Sequence, residues 1–171
     1  MDIINKFIDT EIEPDLVAEN VEVLYSDSAR LQMRMVTPLT KHFTSATEQR
    51  EEYPEGLQVW FYEKTGELKG HISANWAKRD IVNDLWEARG NVVAIDDEGK
   101  KLETEQLFWD PQKRFAYSVI YTKITSETGI EAAGDNGFNA KQRDSEWEWQ
   151  LLRGTKGSII IPMTDEEPNE E

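Results

Sequence analysis

From Asn20 onward the chain alternates apolar and polar residues in short runs punctuated by turn formers. In "ARLQMRM", Leu31, Met33 and Met35 fall on one side and Gln32 and Arg34 on the other, the period of two expected of a strand with one wet face. "VEVLYSD" alternates in the same way. The pattern fades between Thr37 and Pro54, which reads as a polar connection. It restarts in "YPEGLQVWFYE", where Pro54 and Gly56 supply a turn and Leu57, Val59 and Phe61 share a face. "KTGELKGHISANWA" then sends Leu68, Ile72 and Ala74 inward and Lys69, His71 and Ser73 outward, and "LWEARGNVVAI" predicts a long strand with a bulge at Gly90 and Asn91. The turns "DDEG", "DPQK", "SETG" and "DSE" separate further strands in "KKLETEQLFWD", "RFAYSVIYTKIT", "IEAAG" and "WEWQLLR", with "GSIII" as a last one. No helical period follows Asn20. The prediction is an all-β fold: an antiparallel sandwich, barrel or jelly roll whose sheets are wet on one face.

The strands also repeat. "KKLETEQLFWD" matches "GHISANWAKRD" upstream, with Leu102, Thr104, Leu107 and Asp110 in the places of Ile72, Ala74, Ala77 and Asp80, and a weaker third copy starts at Ile130 with Ala132. A spacing of about 28 to 30 residues marks a stacked supersecondary unit. Within each copy the inward residues change parity, from Leu102 and Thr104 to Leu107 and Trp109, and from Ile72 and Ala74 to Ala77. A bulge or bend near Gln106 and near Trp76 returns both halves to one inner face.

Composition narrows the function classes. The 171 residues suit one domain, and the lack of cysteine excludes thiolate catalysis and Cys-ligated metal centres. The net charge of −15 sits largely at the ends: residues 1–20 carry six acids against Lys6, and residues 162–171 carry five acids and no base. With no basic cluster, phosphate backbones have nothing to bind, which excludes nucleic acid as a partner. There is no apolar run of about 20 residues and no secretory-signal pattern at Met1. "MDIINKFID" places Ile4, Phe7 and Ile8 on one helical face, but a helix that short is marginal. The organisation expected is a linker or short helix over residues 1–20, a β domain over 21–161 and an acidic, disordered tail over 162–171.

No catalytic group, metal site or cofactor site is assigned. The pairs Glu103 and Glu105, and Glu146 and Glu148, resemble the two carboxylates of a glycosidase, with six tryptophans as stacking platforms. Residues two apart share one strand face, however, and here that face is the wet one. His42 and His71 have no ligands arranged around them, and "DDEG" lacks the further oxygens of a calcium loop and reads as a hairpin turn. The inward parity gathers Val59, Phe61, Ile72, Ala74 and Leu102, then Leu107, Trp109, Phe115 and Tyr117, and lastly Trp147 and Trp149. Apolar strand faces with this period are expected to be buried as core.

"LWEARGNVVAIDDEGKKLETEQLFWD", with "YPEGLQVWFYE", "ISANWAKRD" and "IEAAGDNGF", resembles the LptC family, related to the LptA and OstA-like modules of lipopolysaccharide export. The likeness runs from about Val21 to Arg153, and the tryptophan-rich "LFWD" is closer to the Bacteroidetes branch than to the proteobacterial one. It implies an antiparallel, edge-open β jelly roll of two facing curved sheets, a non-enzymatic periplasmic domain held at the inner membrane by an N-terminal anchor, which would precede Met1. Such a domain takes lipopolysaccharide from an ABC transporter onto its inner face, where the inward residues named above would line a trough for the acyl chains; a trough wall and a packed core have the same period, so those residues fit either. It hands the lipid to an LptA-like bridge protein joined by strand addition. The alternatives are a carbohydrate-binding jelly roll and a structural adaptor acting through its sheet edges.

Overall fold

A computed structural model describes residues 12–45, 47–129, 131–135, 137–143, 146–153 and 157–162. Among them are fourteen strands and no helix, hence no helix long and apolar enough to cross a membrane. The strands are β1 (Leu16–Asp27), β2 (Arg30–Thr44), β3 (Gln49–Tyr53), β4 (Leu57–Tyr62), β5 (Leu68–Ala74), β6 (Trp76–Asp80), β7 (Leu85–Asp96) and β8 (Lys101–Asp110). They continue as β9 (Phe115–Ser118), β10 (Thr122–Thr125), β11 (Glu131–Gly134), β12 (Phe138–Arg143), β13 (Glu146–Arg153) and β14 (Gly157–Pro162).

All pair antiparallel in one hydrogen-bonded sheet, and the pairing shows how that sheet is folded. Long strands change partners halfway: β2 pairs β4 through residues 33–36 and β3 through 41–44, β7 pairs β6 and then β5, and β8 pairs β10 and then β9. The other passes are broken at the same level into β3 and β4, β5 and β6, β9 and β10, and β11 and β12. The chain thus runs back and forth across a crease, each pass pairing with the one before and the one after. Sheet one holds residues 21–27 of β1, 30–36 of β2, β4, β5, 92–96 of β7, 101–104 of β8, β10 and β11. Sheet two holds the other halves with β3, β6, β9, β12, β13 and β14. The all-β, antiparallel class read from the pattern is the fold found, and its form is jelly-roll-like.

The repeat has a structural cause. Each copy is one pass from sheet one to sheet two, β5 with β6, β8, and β11 with β12. Where β7 crosses, Arg89 pairs Gln106 and Val92 pairs Thr104, so Gly90 and Asn91 bulge against the single residue Glu105. Gly90 and Asn91 take φ of 74° and 46°. The inner face switches with this bulge: Leu102, Thr104 and Leu107 are all buried, and Trp109 packs on the same core. In the first copy the break falls at Asn75, beside the predicted Trp76. Each copy's terminal aspartate opens a hairpin. Asp80 accepts the amide of Asn83 and Asp110 that of Lys113, both at 3.0 Å, and these bonds, stronger to the ionised carboxylate than to the acid, hold both groups below the usual range.

Three details differ from the sequence reading. β1 begins at Leu16, inside the segment assigned to a linker. The stretch Thr37 to Pro54 is a strand end, a hairpin and β3, because in sheet two the inner positions there are filled by His42 and Glu51 and the apolar period is lost. "RFAYSVIYTKIT" is two strands, β9 and β10, parted at the crease.

Candidate functional site

Directly paired residues on neighbouring strands point to the same side. The register therefore draws one inner row across sheet one, Val23, Met35, Val59, Ile72, Ala94, Leu102 and Ile124, with aliphatic side chains or methionine throughout. Two buried clusters fill the space between the sheets near the crease. One gathers Ala74, Val92, Leu102, Leu107, Ala116, Ile124, Phe138 and Ala140, with Ile72 and Trp109 packed on it. The other gathers Met35, Tyr53, Leu57, Val59 and Ala77, with Met33, Ile72 and Trp86. Of the expected trough lining, Val59, Ala74, Leu102 and Leu107 are thus walls of a filled core.

Farther from the crease the inner face of sheet one is uncovered. Phe61 keeps the parity of Leu57 and Val59 but is 43 % exposed, and its neighbours in the next row, Met33 and Tyr25, are half-buried and 57 % exposed. Val23, on the end strand β1, is 37 % exposed. Beside them, between the β1–β2 and β4–β5 hairpins, lies an open hollow of about 660 Å³ lined by Leu31 and Tyr62 with Arg30, Lys64, Thr65 and Gly66.

Phe115 and Tyr117 correct the sequence reading. Ala116 and Ser118 are the buried residues of β9, so the two rings stand on the outer face of sheet two. Ala116 pairs Trp109 and Ala140, and the indole of Trp109 fills the inner space that an aromatic ring at 116 would need. Outside, Tyr117 stacks on Phe108 at 4.9 Å and lies 5.7 Å from Phe115. Trp147 pairs Gln142 and Trp149 pairs Ala140 in the ladder, and their side chains lie outside the described residues.

The charged groups fall into two sets. Glu87, on the outer face, is buried yet held by Arg89 Nε at 2.5 Å and Gln106 Nε2 at 2.8 Å. Burial raises its pKa, but those bonds with the charges of Arg89 and Lys78 outweigh burial and leave it lowered. A carboxylate so committed is a strut. On the inner face of sheet two, His42, Glu51, Arg79 and Trp86 form a row by register, with Asp84 beside it on the β6–β7 hairpin. Sequence reasoning missed this row, because its members come from four strands. His71, on the outer face of sheet one, lies against Trp60 with ring centres 4.9 Å apart and planes tilted by 34°, and burial lowers its pKa. The "DDEG" segment is a hairpin turn, with Asp96 Oδ1 accepting the amides of Glu98 and Lys100. Among the described residues no group of three His, Asp or Glu side chains is placed to hold a metal ion.

No protein-family model matches this sequence, and no curated protein matches it. Its class rests on the fold: an all-β, jelly-roll-like protein with a packed crease and an apolar inner face open along one lip.

Proposed function

We propose that the protein is a non-enzymatic carrier of lipopolysaccharide, acting in the periplasm as a bridge between an inner-membrane ABC transporter and an LptA-like module. The observation that carries this reading is the uncovered apolar lip of sheet one, Tyr25, Met33 and Phe61, continuous with a core row that needs no further packing. Exposed aromatic and thioether groups on a concave face fit acyl chains, which gain about 25 cal/mol per Å² of apolar area removed from water. The end strands support assembly. Among the described residues β1 pairs with β2 and β14 with β13, leaving a free backbone edge on each for strand addition. The resemblance of "LWEARGNVVAIDDEGKKLETEQLFWD" to the LptC family supplies the lipid and the compartment.

The test is site-specific photo-crosslinking in cells. A photoreactive phenylalanine at Phe61 or Met33 is expected to capture lipopolysaccharide, and one at the outward-facing Gln58 is not. Equal capture at Gln58, or none at either inner position, overturns the reading.

A further inference from the structure

The ladder between β2 and β4 ends at the pair Met33 and Phe61, and beyond that pair the β1–β2 and β4–β5 hairpins part. Both hairpins slip register at this level. Tyr25 pairs Met33 but Ser26 pairs Leu31, and Phe61 pairs Gly70 but Tyr62 pairs Leu68, so Gln32 and Lys69 are the extra residues of two bulges. A bulge bends its strand and adds twist, which turns the two hairpin ends away from the line of the apolar lip. In the fork lies the hollow of about 660 Å³, lined by Leu31 and Tyr62 with Arg30, Lys64, Thr65 and Gly66. Its lining holds two cations and no acid. Other cations of this acidic chain are committed: Arg34 to Glu22, Arg79 to Asp84, and Lys69, in the same hairpin as Lys64, to Glu63 and Asp97 at 3.4 and 3.2 Å. Asp27, at the head of the β1–β2 hairpin, accepts the Ser28 hydroxyl and the Gln32 amide, and Glu67 does not line the hollow. Among the described residues Arg30 and Lys64 make no ion pair, and both are exposed.

We propose that this hollow is a phosphate site, which seats the phosphorylated head of a lipid whose acyl chains lie on Met33 and Phe61. This rests on the carrier reading above and adds where the anionic end of the cargo sits. Arg30 precedes Met33 by three residues and Lys64 follows Phe61 by three, so each cation stands within about 10 Å of extended chain from the last apolar pair. One amphiphile can touch both. The guanidinium fork of Arg30 and the ammonium of Lys64 only donate, and the hydroxyls of Tyr62 and Thr65 in the same lining can donate as well. A phosphate monoester brings three accepting oxygens and about two charges, which matches both cations, whereas a carboxylate brings one charge and a sugar none. Two cations are too few for a nucleic-acid backbone, which needs a run of contacts, and enough for one headgroup. The orientation follows from the apolar pair, because a phosphate laid on Met33 and Phe61 loses its water to groups that cannot replace it.

The experiment measures displacement of the uncharged fluorophore N-phenyl-1-naphthylamine from the full chain, at low salt, by dodecyl phosphate and by dodecyl maltoside, each below its micelle concentration. The wild-type protein is expected to favour the phosphate about tenfold, although its net charge of −15 repels anions at large. In Arg30→Gln/Lys64→Gln that preference is expected to vanish, with circular dichroism unchanged because both side chains are exposed. Lys41→Gln/Lys141→Gln removes the same charge from the outer face of sheet two and is expected to keep the preference. Excess inorganic phosphate is expected to leave it standing too, since a headgroup is held together with its chain. A preference that inorganic phosphate abolishes assigns the hollow to the free ion and overturns the lipid headgroup. A wild-type protein without the preference, an undiminished preference in the Arg30 and Lys64 variant, or an equal loss in the Lys41 and Lys141 variant overturns the phosphate site and leaves the carrier reading standing. If the naphthylamine itself finds no place on the wild-type protein, the carrier reading fails and the phosphate site falls with it.

Discussion

The hydroxyl of Thr104 lies 3.0 Å from the carbonyl oxygen of Tyr121, tying β8 to the link between β9 and β10 at the crease. It also stands 3.3 Å from the Ser118 hydroxyl and 3.4 Å from the carbonyl of Gln106, two residues on in its own bent strand. Thr37 and Thr122 repeat the arrangement, each reaching the carbonyl two residues away, at 3.0 Å on Leu39 for Thr37 and 3.2 Å on Ile120 for Thr122. A strand that bends turns backbone groups off the ladder, and a buried threonine on the inside of the bend satisfies them. Thr104→Val keeps the shape and removes the hydrogen bonds, so it is expected to lower stability by about 1–3 kcal/mol, with Thr104→Ser close to wild type. Urea unfolding measures the difference, and an unmoved midpoint for the valine variant refutes this account of the crease.

Phe61 separates binding from folding. Because the ring is half in solvent, Phe61→Asp is expected to leave circular dichroism unchanged and to abolish acyl-chain binding, since an unpaired carboxylate among apolar groups is costly. Val59→Asp, two residues away in the filled core, is expected to unfold the protein. A folded Phe61→Asp protein with normal lipid binding puts the cargo elsewhere.

Two glycines with similar backbone angles are expected to respond very differently to alanine. Gly56 and Gly66 have φ of 85° and 90°. A Cβ on Gly56 meets the Ala74 carbonyl oxygen at 2.3 Å, whereas one on Gly66, in a hairpin, has nothing within 4 Å. Gly66→Ala should cost about 1 kcal/mol for its left-handed backbone alone. Gly56→Ala adds a backbone clash at the crease and is expected to cost about 3 kcal/mol or more. Thermal melts of the two variants give the ratio directly.

The hairpin aspartates set the acid limb of the stability curve. Asp80 and Asp110 are held below the usual carboxylate range chiefly by the amides of Asn83 and Lys113. A depressed folded pKa gives stability that is fully present above the unfolded value of about 4 and lost as pH falls through the folded one. Asp80→Asn/Asp110→Asn is therefore expected to melt below wild type at pH 7, and the gap should narrow as the pH drops under 4. A gap that stays constant from pH 7 to 2 shows that ionisation of these groups does not matter.

What the sequence disclosed depended on whether a signal was local. The bulge at Gly90 and Asn91 and the parity change between Thr104 and Leu107 were both legible, since each is a break in a period of two. β3 was hidden because Glu51 occupies an inner position and Phe43, though buried, lies under the Arg50 guanidinium at 3.9 Å, so apolar and inward ceased to coincide. Phe115 and Tyr117 were put on the wrong side because period gives two faces without saying which is inner. That was decided by Trp109 on the neighbouring strand. The charged row on sheet two was illegible for the same reason: only cross-strand register brings Glu51 beside Arg79.

Each pass across the crease is bonded to its predecessor and its successor in sequence, so the protein grows in one direction, as a stack does. Neighbouring strands lie about 4.8 Å apart, so one more repeat, a pair of passes, would lengthen the inner face by roughly 10 Å. The cross-section would not change, because it is fixed by where each pass bends. A lineage using this architecture could lengthen its inner face by duplication alone, without redesigning the core. Because every pairing joins passes adjacent in sequence, no loop spans more than two passes of chain, which favours faster folding than an all-β protein that pairs its first strand with its last.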